Sequence, residues 1–216
     1  MKFILVVDRK HLFPGLSPQG LLSSDAIDLG VVERLGFFAE RDYMENCSHF
    51  KQIIPYIALV LDGQVLAYQR QTRHSEQRLG GLWTVGFGGH IEPMDRDAPE
   101  VAGPGLLAAC AVRELEDETG LRVNEEHLVL RGCINSEKED VSSVHAGFFF
   151  TADLAGLGLD HATIAATVTA QAEPHQVEWV GLDALIDAPK GVGPAPQQGE
   201  WEDWSRIAIE GLGVLR

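Results

Sequence analysis

Basic residues are scarce in this 216-residue chain: 17 Lys and Arg stand against 32 Asp and Glu, a formal net charge of −15. That imbalance argues against nonspecific binding to a nucleic-acid backbone, which needs a basic surface. It leaves room for a free nucleotide, whose charge a few arginines and a metal can meet locally. Cysteine is equally sparse. Cys47, Cys110 and Cys133 lie far apart, so they offer no disulfide framework and no Cys-x-x-Cys or Cys/His zinc pattern. Such usage suits a reducing compartment. No stretch approaches the roughly 20 apolar residues of a membrane span. The apolar run in residues 1–7 is too short for a signal peptide, and Asp8 and Arg9 end it. The expectation is a cytoplasmic protein that uses neither a membrane nor a nucleic-acid polymer.

What is present reads as one large α/β domain, 45% apolar. Residues 3–7 are apolar and β-branched and predict a first strand. Residues 11–24 carry Pro14, Gly15, Pro18 and Gly20 and predict loop, and 26–38 predict a short helix. Residues 53–61 form a strong strand candidate, with Pro55 expected near its start or at an edge. Asp62-Gly63 then turns the chain into a second strand over 64–70. Residues 71–82 are polar loop and 82–87 a short strand. Strands follow at 128–134, 145–151 and 177–180, with a polar loop over 135–143. Residues 162–172 fit a helix or a loop, and 182–186 a brief helix. Residues 188–199 are a Pro/Gly/Gln-rich linker before a terminal helix over 201–210. The result is a mixed sheet with one long central helix and one terminal helix, an α/β sandwich.

The clearest helix runs from residue 106 to 119, with Ala108, Val112 and Leu115 on its apolar side and Gly120 placed to cap it. With Glu114 at zero, Glu118 falls at about 40° and Asp117 at about −60° around the axis. Three carboxylates on one stripe repel one another unless something neutralises them. Mg²⁺ or Mn²⁺ takes such oxygen ligands, polarises a phosphate oxygen and acidifies a bound water. A solvated acidic face is the bland alternative. Arg113 could pair with a carboxylate or fix the preceding loop.

Residues 88–121 resemble the signature of the Nudix (MutT-like) hydrolases: glycine, five residues, glutamate, seven residues, then Arg-Glu-aliphatic-x-Glu-Glu-x-Gly-aliphatic. Arg113-Glu114-Leu115-Glu116-Asp117-Glu118-Thr119-Gly120-Leu121 meets the second half, with Asp117 where glutamate is usual. The first half begins at Gly89, so the upstream acid falls on Asp95, a structural position that Glu92 or Glu100 could fill instead. Met94 stands where a glycine is common, and an insertion over roughly residues 96–105 separates the halves. The run Ile53-Ile54-Pro55-Tyr56, with Tyr68-Gln69-Arg70 and Gly88-Gly89-His90-Ile91, also resembles a less characterised bacterial branch whose members are labelled phosphoesterases.

The resemblance implies an α/β/α sandwich with a mixed sheet. It divides the chain into an extension over 1–50, a Nudix core over 51–187, and a linker and helix over 188–216 within the same domain. It implies Glu114, Glu118 and Arg113 as catalytic residues and Mg²⁺ or Mn²⁺ as cofactor. Glu114, Asp117, Glu118, Glu173 and the backbone of Gly89 would hold the metal, with Glu178 as the other acid considered beside Glu173.

On the substrate side, Arg70, Arg73 and Arg78 cluster before the glycine-rich strand and could clamp a diphosphate. His90 either lines that cleft or makes a structural hydrogen bond. Gly86, Gly88 and Gly89 allow a close approach, to a ligand or to the helix itself. Trp83 and Phe87 pack the core or flank a base, and Trp201 and Trp204 are expected as core anchors, although a homodimer interface could also use them. The implied activity is cleavage of a phosphoanhydride bond in a nucleoside diphosphate linked to another group. Two rivals use the same scaffold: a noncatalytic nucleotide-sensing module, and an isoprenoid-type diphosphate isomerase, for which a cysteine is missing from residues 82–90.

Overall fold

The structure, a computed structural model, describes residues 1–15, 17–71, 79–96, 105–138, 140–187 and 199–214. Its strands are β1 (Phe3–Asp8), β2 (Gly20–Ser23), β3 (Phe37–Glu40), β4 (Phe50–Leu61), β5 (Gln64–Gln69), β6 (Trp83–Thr84), β7 (Gly86–Phe87), β8 (Leu128–Asn135), β9 (His145–Asp153) and β10 (Gln176–Gly181). The helices are α1 (Arg9–Leu12), α2 (Gly30–Leu35), α3 (Arg41–Met44), α4 (Pro93–Arg96), α5 (Leu106–Thr119), α6 (Asp140–Val144), α7 (His161–Ala172), α8 (Leu182–Asp187) and α9 (Asp203–Val214).

All the strands join one mixed sheet, ordered β10-β5-β4-β9-β8-β2, with β1 and β7 on β4, β3 on β1 and β6 on β5. The pairing of β4 with β9 is parallel, in register from Gln52 opposite His145 to Val60 opposite Asp153. Strand β4 is apolar along almost its whole length because both its faces are covered. Ile53, Ile57 and Leu59 turn to the core shared with α5 and α7, where Leu115, Ile164 and Val168 lie. Ile54, Tyr56 and Ala58 turn to the core shared with α8 and α9, where Leu185, Trp204 and Ala208 lie. The architecture is therefore an α/β/α sandwich around a mixed sheet.

Several local expectations are revised. Pro55 sits in the middle of β4 rather than at its start. The β1 ladder ends at Gln52 and the β7 ladder begins at Ile57, so Pro55 falls between two pairing strands where its missing N–H costs little. Residues 20–23 form an edge strand on β8 instead of loop. The helix expected over 26–38 shortens to α2, and Phe37–Glu40 is a strand on β1. Residues 140–143, part of the loop expected over 135–143, lie in α6. The buried side of α5 consists of Leu107, Ala108, Cys110, Ala111 and Leu115, with Val112 only partly covered.

Trp201 precedes α9 and bridges to Trp83, while Trp204 stands edge-on to Tyr56 at 5.6 Å, so both tryptophans anchor the second core. Among the described residues no helix is long and apolar enough to cross a membrane.

Candidate active site

The site lies where the loop after β7 meets α5. Position 88 takes a glycine because a Cβ there would run into the Pro55 carbonyl. Gly88 donates its backbone N–H to Glu118 Oε2 at 3.0 Å. Gly89 leaves room for the neighbouring acid: a Cβ on it would stand 2.6 Å from the Glu114 carboxyl group. Two adjacent glycines thus bring bare backbone against two carboxylates one helical turn apart. Helix α5 stops at Gly120, whose left-handed φ of 72° lets its N–H close on the Glu116 carbonyl.

Arg113 ties the two halves of the motif together. Its Nε and Nη2 grip the two oxygens of Asp95 at 2.6 and 3.0 Å, its Nη1 reaches Glu114 Oε1 at 2.7 Å, and its Nη2 also reaches the His90 carbonyl at 3.1 Å. The Asp95 carboxylate, nearly sealed from solvent, also accepts from the Glu92 N–H at 2.8 Å. Asp95 is seated on Arg113, Glu92 instead lies 3.8 Å from Lys2, and Glu100 lies outside the described residues. Helix α4 brings Asp95 back against α5. Burial raises the Glu114 pKa above the ordinary glutamate value; Arg113 opposes that rise, and Asp117 and Asp95 add to it.

The helix acids differ in exposure. Asp117 has 64% of its side chain exposed and only a long 3.5 Å contact to Arg113, whereas 14% of Glu114 is exposed. Glu173 caps α7 with a left-handed backbone and an exposed side chain. The last turn of α7 touches α5 where Gln171 Nε2 donates to the Asp117 carbonyl at 2.8 Å. Glu178 lies opposite Ala67 in the β10–β5 ladder. Its neighbours Val177 and Trp179 pack into the α5 core, so strand alternation turns Glu178 to the other face of the sheet.

Arg70 is three-quarters buried, with its guanidinium 5.8 Å from the Tyr68 ring and its Nε 3.6 Å from Glu202. Burial works against its charge, but Tyr68, Glu202, Tyr56 and Glu118 outweigh it and hold the guanidinium protonated. Arg73 and Arg78 lie outside the described residues.

His90 turns its ring away from this group: its Nε2 is 2.7 Å from Gln52 Oε1 and 3.4 Å from His145 Nε2. Burial, with the positive charges of Arg41, His145 and Lys2, lowers its pKa to about 3, so the ring is neutral at ordinary pH. Glu45, His90 and His145 place one ligand atom each within 4.8 Å of one another. This trio was not legible in the sequence, because Glu45 and His145 are remote from His90 along the chain.

A NUDIX domain model matches residues 53–201. Protein YmaB of Bacillus subtilis (strain 168) is 32% identical over 154 residues, spanning 68% of this chain and 72% of that protein. The crystal structure of Tm1382, a candidate Nudix hydrolase, superposes with a TM-score of 0.71 at 23% identity over 100% of both chains. A NUDIX hydrolase from Alicyclobacillus acidocaldarius aligns with a TM-score of 0.52 at 14% identity, over 74% of this chain and 90% of its own.

Proposed function

The chain belongs to the Nudix hydrolase superfamily, and on that footing we propose that it is a metal-dependent hydrolase cleaving a phosphoanhydride bond in a nucleoside diphosphate linked to another group. One observation carries the proposal: Glu114 and Glu118 are held side by side against the backbone of Gly89 and Gly88, with Arg113 locked on Asp95 behind them. The donors are hard carboxylate oxygens, which fit Mg²⁺ or Mn²⁺. Glu114 and Glu118 would hold the ion, joined by Asp117, the Gly89 carbonyl and Glu173. When bound, it supplies a polarised phosphate oxygen and a more acidic water.

The chain's own part is positioning. Arg113 fixes one Glu114 oxygen at 2.7 Å and, through Asp95, fixes the helix to the loop. The Gly88 N–H sets the direction of Glu118 by donating to its Oε2. Burial, with a smaller contribution from Asp117 and Asp95, raises the Glu114 pKa, a cost that a cation entering the cleft would offset. Arg70, Arg73 and Arg78 are assigned to the diphosphate, Arg70 by leaving Glu202, which it meets at 3.6 Å rather than at hydrogen-bond distance. The partner is a small-molecule diphosphate or nucleotide, encountered in the cytoplasm, and a homodimer is compatible with the assignment.

The test is phosphate or nucleotide release across a panel of diphosphate substrates with Mg²⁺ or Mn²⁺, comparing wild type with Glu118→Gln. The expected result is metal-dependent turnover that falls on the order of 10²–10⁴-fold in the variant. Equal turnover in the folded variant would remove Glu118 from the mechanism. Isomer formation without phosphate release would replace hydrolysis by isomerisation.

A further inference from the structure

We propose that Glu45, His90 and His145 form a second cation site, suited to Zn²⁺ or another imidazole-seeking divalent metal and separate from the acids of α5. The three residues come from three parts of the fold. Glu45 ends α3, His90 follows the glycine pair, and His145 begins β9. Their ligand atoms lie within 4.8 Å of one another.

The spacing of the two imidazoles fits one ion. His90 Nε2 and His145 Nε2 are 3.4 Å apart. Two nitrogens on a tetrahedral ion with bonds of 2.0–2.1 Å stand about 3.4 Å apart. The Glu45 carboxylate, held from its own helix by Arg41, comes within 4.8 Å of both nitrogens. Gln52 supplies an independent observation. It is fully buried; its Oε1 accepts a hydrogen bond from His90 Nε2 at 2.7 Å, so an ion on that nitrogen would displace its proton and face the amide oxygen, and its Nε2 has no hydrogen-bond partner among the described residues. Buried amide N–H groups are rarely left unpaired. A water carried by an ion in this position would give the amide an acceptor.

The surroundings select the metal. Arg41 Nε donates to Glu45 Oε1 at 2.9 Å, orienting the carboxylate from behind as outer partners of metal ligands do. Arg41 and Lys2 also place positive charge near His90, with Lys2 partly answered by Glu92 at 3.8 Å. Two nitrogens, one carboxylate and nearby positive charge make a poor site for Mg²⁺, which needs oxygen ligands and several waters. They suit a metal that bonds imidazole strongly.

The site also has a consequence for catalysis. The His90 carbonyl accepts from Arg113, and the two preceding glycines touch Glu118 and Glu114. An ion on the His90 ring would join the N-terminal segment and β9 to the loop that carries the catalytic acids.

The test uses Co²⁺ alone, titrated into the full chain and followed by its visible d–d absorption, with Zn²⁺ and excess Mg²⁺ as competitors. Wild type and Glu118→Gln are expected to develop the same band. Zn²⁺ should abolish it and Mg²⁺ should leave it. His145→Gln and Glu45→Gln are each expected to weaken Co²⁺ binding at least tenfold, with far-ultraviolet circular dichroism confirming the fold. If His145→Gln fails to fold, Glu45→Gln decides, since its side chain is partly exposed. No band in wild type overturns the proposal. So does a band that survives unchanged in Glu45→Gln, or one that Glu118→Gln removes.

Discussion

Gly89 and Glu114 are in contact so close that a methyl group on the glycine would stand 2.6 Å from the carboxyl carbon and both oxygens. The missing Cβ is what allows a partly buried carboxylate to rest against loop backbone. Gly89 is not among the positive-φ glycines, so alanine would bring no backbone strain. Gly89→Ala is expected to displace the end of the Glu114 side chain while leaving the fold intact. Turnover should fall on the order of 10²-fold with little change in Tm. Parallel kinetics and thermal melts check this, and a large drop in Tm with normal turnover in the folded fraction would contradict it.

The Asp95–Arg113 pair is expected to be the main strut between the two halves of the motif. Only 2% of the Asp95 side chain and 22% of the Arg113 side chain are exposed. Arg113→Met leaves a buried carboxylate without its partner and should cost about 3 kcal/mol. Arg113→Lys cannot reproduce the two-pronged grip and should recover only part of the loss. Denaturant unfolding of both variants measures it. A double substitution with Asp95→Asn should cost less than the sum of the single changes, because the unpaired charge is removed with its partner.

A second buried ion pair makes acid stability depend on Glu137. Its Oε1 lies 2.9 Å from the fully buried Lys51 Nζ and 2.8 Å from Arg9 Nη1. Burial raises the Glu137 pKa, but hydrogen bonds from Lys51, Arg9 and Asn135 outweigh it and leave the net value below the ordinary 4.5. A carboxylate depressed in the folded state stabilises fully above its unfolded pKa and loses that contribution as pH falls through the folded value. Glu137→Gln should therefore melt well below wild type at neutral pH. The two should converge as pH drops from about 4.5 downward. A gap that stays constant between about pH 7 and pH 3 would show that Glu137 acts through packing rather than charge.

Gly147 is required by Trp204. A Cβ on Gly147 would lie 2.7 Å from Cζ3 of the indole, on the face of β9 where α9 docks. Gly147→Ala should overpack this core and cost about 1–3 kcal/mol. Trp204→Leu in the same chain should recover part of that cost by making room. Unfolding free energies of the two single variants and the double variant check the coupling.

Parts of this molecule were legible residue by residue. The limits of α5 followed from its periodicity and Gly120, and the β4–β5 hairpin from Asp62-Gly63. The acid stripe followed from spacing alone, as did the exclusion of a disulfide framework. Asp95 was reachable only through resemblance, because it lies well upstream of Arg113 in the sequence. Ala108, Val112 and Leu115 do face the core, and Cys110 and Ala111, which lie fully inside the sandwich, widen that side beyond the three. Glu173 was the better candidate in one dimension and Glu178 the second, and strand pairing with Ala67 turns Glu178 to the other face.

The sequence by itself determined the local elements and the chemistry of the motif, since helical period, turn residues and carboxylate spacing act within a few residues of one another. The tertiary structure decided everything that depends on closing long loops. It made β4 and β9 parallel neighbours, which brought Gln52 opposite His145 and carried Lys51 to Glu137. It placed Glu45 and His145 beside His90. Such contacts arise from burying two faces of one sheet at once, a condition no local pattern encodes.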